Sequence, residues 1–191
     1  MDDAELVRRA LEDPDDFGPI VERYEKPLMR FMHRLSQLSA EDAEDLAQRV
    51  FLKAYDHLND FDPKLKLSTW LLRIARHEVI DFWRRKQARP QEYELDETRL
   101  DETHGKEPTM AHALDQKLKS ERVRQLLALL QPEHRAVLIL YYFEEKNYEE
   151  IADILECPPG TVAALLSRAK KAFAKLAGRT GDADHLTLFH D

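Results

Sequence analysis

The sequence predicts an all-α chain, two small helical domains joined by an acidic flexible linker, and three observations carry that expectation. The 191 residues include only 5 glycines and little β-branched alternation, which favours helices throughout. Apolar side chains recur at spacings of three and four toward both ends of the chain. Between them, residues 87–114 hold Pro90, Gly105, Pro108 and many acids but no apolar period, which is the composition of a linker. Boundaries are expected at 1–89 for the first domain, 90–115 for the linker, 116–178 for the second domain and 179–191 for a tail.

A first helix is expected over about 4–12, ending before Asp13-Pro14-Asp15-Asp16. A second, from about 16 to 35, has Phe17, Ile20, Val21, Tyr24, Leu28, Phe31, Met32 and Leu35 on one stripe. Ser39-Ala40-Glu41-Asp42 opens a third with a capping hydroxyl and first-turn acids. Its stripe runs from Ala43 through Leu46, Ala47, Val50, Phe51, Ala54 and Tyr55 to Leu58, and Asn59-Asp60-Phe61-Asp62-Pro63 breaks it. A fourth runs from Ser68 to about Arg85 with Leu71, Ile74, Ala75, Val79 and Phe82 inward. Apolar periodicity resumes from Leu118 to Leu176 with breaks at 131–132, 144–147 and 157–160, giving four more helices.

Composition narrows the function classes. The chain is 43% hydrophobic and 35% charged, and no apolar run approaches the roughly 18–20 residues of a membrane span. The acidic N-terminus lacks a secretory pattern, and the single Cys157 excludes an internal disulfide framework. A cytoplasmic protein without membrane insertion is expected. The net charge of −8 hides two basic blocks: residues 64–89 carry 8 basic and 2 acidic side chains, and residues 160–179 carry 5 and none. Local field decides where a phosphate backbone docks.

Residues 147–176 have the shape of a helix-turn-helix. Tyr148, Ile151, Ala152 and Leu155 form one face, residues 156–160 a turn, and Gly160-Thr161 the start of a second helix, with Thr161 placed to cap it. Val162, Leu165, Leu166, Ala169, Phe173 and Leu176 are expected inward, with Ala164, Ser167, Arg168, Lys171 and Lys175 opposite and Lys170 beside them. Such a face suits a major groove, although a plain helical bundle has the same pattern. In the fourth helix, Lys66, Arg73, Arg76 and Arg84 lie along one side with Trp70, His77 and Trp83 interleaved. Cations follow a backbone while rings stack on unpaired bases. Trp83 is expected in the core; for Trp70, core and nucleic-acid contact are both open. The third helix has an acidic outer face of Asp42, Glu44, Asp45 and Asp56 with Gln48 and Arg49, which suggests a protein partner.

Several motifs occur together and in order: Asp42-Ala43-Glu44-Asp45-Leu46, Phe61-Asp62-Pro63, Thr69-Trp70-Leu71, and Tyr148-Glu149-Glu150-Ile151-Ala152 followed by Gly160-Thr161-Val162. Residues 41–85 resemble the second conserved region of extracytoplasmic-function (ECF) sigma factors of bacterial RNA polymerase, and residues 126–176 resemble their fourth. The resemblance implies that core RNA polymerase and promoter DNA are partners, with an anti-sigma factor, membrane-associated, as a third. It implies that Asp42, Asp45, Leu46, Gln48, Arg49, Phe51 and Leu52 dock on the clamp of the polymerase's largest subunit. Capture of the unpaired −10 strand would fall to the loop at 59–69 and the helix after it, through Lys64, Lys66, Ser68, Thr69, Trp70, Arg73, Arg76, His77, Arg84 and Arg85. The −35 duplex would meet Thr161, Ala164, Ser167, Arg168, Lys170, Lys171 and Lys175. The acidic linker would lie in a polymerase channel.

Two departures stand out. Ala163-Ala164-Leu165 occupy positions where the family carries polar or basic side chains, and Arg49 stands where an acid is common. The alanines favour an alternative, a sigma-like decoy that occupies an anti-sigma factor without initiating transcription; a dimeric helix-turn-helix regulator is a further alternative. No catalytic residue, cofactor or metal is expected: the eight histidines are scattered, and His185 and His190 have only Asp184 and Asp191 nearby.

Overall fold

A computed structural model describes residues 2–88 and 121–179, apart from the Gln87 side chain. The linker and tail expectations, the histidines of the tail included, lie outside the described residues. The described residues divide into two compact units, one formed mainly by residues 2–88 and one mainly by residues 121–179. Every regular element among the described residues is helical.

In the first unit, α1 (Asp3–Glu12) is capped by Asp2, whose carboxylate accepts from the Glu5 amide at 2.8 Å. A 3-10 turn (Pro14–Phe17), with Asp13 accepting from the Asp15 amide, delays α2 to Gly18–Ser36, two residues later than the periodicity suggested. Ser39 caps α3 (Ala40–Asp56) by accepting from the Asp42 amide at 3.1 Å, as its sequence position predicted. A second 3-10 turn (Leu58–Asp60) leads through a loop to α4 (Leu67–Ala88). Helices α2, α3 and α4 pack on one another, enclosing Ile20, Phe31, Leu46, Val50, Leu71 and Ala75. Burying that apolar area stabilises the unit by about 25 cal/mol per Å².

Further along the chain, residues 121–128 form α5, followed by α6 (Pro132–Tyr142), α7 (Tyr148–Leu155) and α8 (Pro159–Arg179); of these, α5, α6, α8 and the first half of α7 belong to the second unit. Arg135 of α6 donates to the carbonyls of Leu127 (2.8 Å) and Leu130 (3.2 Å), satisfying the otherwise orphaned end of α5. Burial pulls its guanidinium below the ordinary arginine value. An α7 of 8 residues is too short to persist alone. Its start is fixed by a reciprocal cap: Asn147 accepts from the Glu150 amide at 2.9 Å while Glu150 accepts from the Asn147 amide at 3.0 Å. Ile151, Ala152 and Ile154 are its buried residues, whereas Tyr148, expected on the inner face, is exposed. Phe173, Val162, Leu166 and Ala169 make the inner face of α8, which packs on α6.

Candidate nucleic-acid interface

The approach to α4 is built by Asp62. Its carboxylate accepts from the Lys64 amide (2.9 Å) and its carbonyl from the Leu65 amide (3.0 Å), turning the chain back toward the helix. The Lys66 carbonyl then accepts from the amides of Thr69 and Trp70. The Phe61 ring meets Trp70 edge to face at 5.4 Å, closing loop onto helix. Lys64 and Lys66 are exposed, Ser68 is half-buried, and Arg73, Arg76 and His77 are half-exposed further along. Arg84 and Arg85 are exposed near the end.

Thr69 and Trp70 are a correction to their expected role. At 1% and 4% exposed they belong to the interior; they hold the loop rather than offer a surface to a base. Trp83 is corrected the other way. It lies at the surface, 36% exposed, edge to face with Phe82. The Lys86 ammonium stands 5.3 Å over both rings. Lys86 was legible only through its spacing of three and four from those rings.

On α3, Asp45, Gln48, Arg49 and Leu52 are exposed and Asp42 is half-exposed. Leu46 and Phe51, expected to dock on polymerase, are core residues instead. Leu52 is 64% exposed. It borders a groove of about 740 Å³ that Phe17, Val21 and Tyr55 also line, with Glu25 and Glu44 on it.

On α8, Thr161, Ala164, Ser167, Arg168, Lys171 and Lys175 are exposed. The helix begins before Thr161, whose own amide donates to the Pro158 carbonyl at 2.8 Å, so Thr161 sits within the first turn and is not its cap. Arg168 folds back, Nε donating to the Ala164 carbonyl at 3.2 Å. Lys170 is half-buried with its ammonium 5.3 Å over the Tyr142 ring, which fastens α8 to α6. It does not share the free face of its neighbours. Among the described residues no cluster of three potential metal ligands occurs, and no helix is long and apolar enough to cross a membrane.

The family model for Sigma-70 region 2 matches residues 20–89, and the model for Sigma-70 region 4 matches residues 120–173. The ECF RNA polymerase sigma factor SigW of Bacillus subtilis is 32% identical over 85% of this chain and 89% of its own. This chain belongs to the ECF sigma factors. RNA polymerase sigma factor YlaC of the same organism is 34% identical, over 84% of this sigma factor and 91% of that one. Among solved structures, CnrH in complex with the cytosolic domain of CnrY shares the fold, with TM-score 0.68, 22% identity and coverage of 93% and 97%. The sigma factor RpoE in complex with the anti-sigma factor NepR from Bartonella quintana superposes with TM-score 0.63 at 25% identity, covering 85% of this sigma factor and 97% of that chain. The protein therefore acts with RNA polymerase in transcription initiation.

Proposed function

We propose that the two units divide promoter engagement, residues 1–89 binding core polymerase and the unpaired −10 strand and residues 116–178 binding −35 duplex. The observation that carries this reading is the outward ridge of α4, where Arg73, Arg76, His77 and Arg84 stand on a helix whose start is stapled by the buried Trp70. Cations there can hold a backbone while Lys64 and Lys66 flank the incoming strand. Opening is then strand capture driven by binding, with no chemical step catalysed. Asp42, Asp45, Gln48, Arg49 and Leu52 are the polymerase-docking set, and an exposed Leu52 amid polar neighbours suits a protein partner. Thr161, Ala164, Ser167, Arg168, Lys171 and Lys175 are the duplex-facing set.

The protein works in the cytoplasm, where polymerase is, and an anti-sigma protein holds it off polymerase; the RpoE–NepR relative supports that partner. The decoy reading draws on one observation, the exposed and uncharged Ala163 and Ala164 near the tip of α8. Run-off transcription by core polymerase plus this protein on a pool of promoters separates the two. Transcripts from a common sequence class are expected; polymerase binding without transcripts would leave the decoy standing.

A further inference from the structure

Glu78 takes no part in the surfaces described above, yet it is 2% exposed and is the one ionisable side chain among the buried residues described. Its two oxygens face different cations. Oε1 pairs with the Lys53 ammonium of α3, and Oε2 lies 3.9 Å from the Arg85 guanidinium, two turns further along α4. The Lys53 and Arg85 side chains are 52% and 56% exposed, so both heads are open to solvent. One carboxylate against two cations leaves a surplus positive charge at the shoulder where α3 meets α4. As a way of joining helices this is inefficient, because an apolar side chain of similar volume in place of a buried ion pair is often neutral or stabilising. What the carboxylate supplies is geometry: it sets two long, flexible cations side by side.

We propose that Lys53 and Arg85 form a clamp for one phosphodiester of the promoter strand, with Glu78 as its positioning residue. The inference rests on reading α4 as the strand-capturing helix. Arg85 is one position, about 100° of helical rotation, from Arg84 on the helix that carries Arg73 and Arg76, so a strand that leaves that ridge toward α3 passes the shoulder. The two non-bridging oxygens of a phosphate can each take a charge-assisted hydrogen bond, one from each cation.

The test is fluorescence anisotropy of holoenzyme on a fork-junction fragment of the promoter found by run-off, across a salt titration. Removing a negative charge beside DNA should strengthen binding by Coulomb's law alone; the clamp requires the opposite. Glu78→Gln is expected to weaken fork binding by about fivefold to tenfold. Lys53→Met and Arg85→Ala weaken it similarly and each lowers the salt slope by roughly 0.7. Arg85→Ala in the Glu78→Gln background costs less than about twofold more, because the arginine has already lost its support. Glu78→Leu keeps the melting temperature within about 4 °C while losing the same affinity, a split that a purely structural carboxylate would not produce. Tighter binding by Glu78→Gln, or fully multiplicative losses in the double variant, overturns the clamp. Normal fork binding by Lys53→Met and Arg85→Ala, both surface changes, overturns it as well. If Arg76→Ala also left fork binding unchanged, the strand-capture reading would fall with it; loss for Arg76→Ala alone removes only the clamp.

Discussion

Helices α4 and α8 are nearly equal in length, 22 and 21 residues, and both are basic in their outer faces, yet what surrounds those cations differs, as the proposed division of the promoter requires. The cations of α4 are interleaved with aromatic rings and begin at a loop turned by Asp62 and stapled by Phe61 and Trp70. Those of α8 follow two turns of small uncharged side chains, and no ring stands among its exposed residues. A single strand presents base faces and a flexible backbone, so rings beside cations and a preset loop serve it. A duplex presents a groove, which a slim helix tip suits, and in the proposed division Lys171 and Lys175 would meet phosphate behind it. Each helix carries five cations, and under the proposed division their different framing is what separates the two targets.

Breaking the staple gives the largest effect. Trp70→Ala should destabilise the first unit by about 3–5 kcal/mol through the cavity it leaves, read as a lowered urea midpoint. Trp83→Ala, at the surface, should cost under about 1 kcal/mol. Equal losses would show that Trp83 is packed after all.

Next come the crossed cation deletions. Arg76→Ala is expected to reduce promoter opening, followed by permanganate reactivity, by about tenfold with core-polymerase affinity unchanged. Lys171→Ala should leave capture of a pre-melted fork intact while lowering duplex affinity, with a salt slope shallower by about 0.9. If each variant impaired both assays alike, the division between strand and duplex would have to be given up. The smallest effect separates two adjacent lysines. Lys170→Met should cost about 0.5–1 kcal/mol of stability through the lost ring contact with an unchanged salt slope, the reverse of Lys171→Ala.

Much of the fold was legible because its signals are local. The Ser39 cap, the apolar stripes of α2 and α3 and the breaks before α4 and α8 each depend on residues within a few positions of one another. The errors came where a side chain's fate depends on the far side of the molecule. Leu46 and Phe51 stand both on the apolar stripe of α3 and in the docking set that the resemblance implies, and the stripe prevails, since both are buried. Trp83 continues the four-residue spacing of Leu71, Ala75 and Val79, so the period alone reads it as core, and its exposure depends on how little packs against the last turns of α4. Glu78 was not legible at all. Its partner Lys53 is 25 positions away on another helix, and a carboxylate one place from an apolar stripe ordinarily reads as solvated.

The chain contains two tryptophans, and α4 carries both. They are thirteen residues apart, roughly 20 Å along the helix axis, one enclosed against Phe61 and one partly exposed at the surface beneath a lysine. Their emission is therefore separable, the inner indole blue and shielded from acrylamide, the outer one red-shifted and quenchable. An unlabelled molecule thus carries an optical gauge of occupancy at the far end of α4 and, at the near end, the internal standard to read it against.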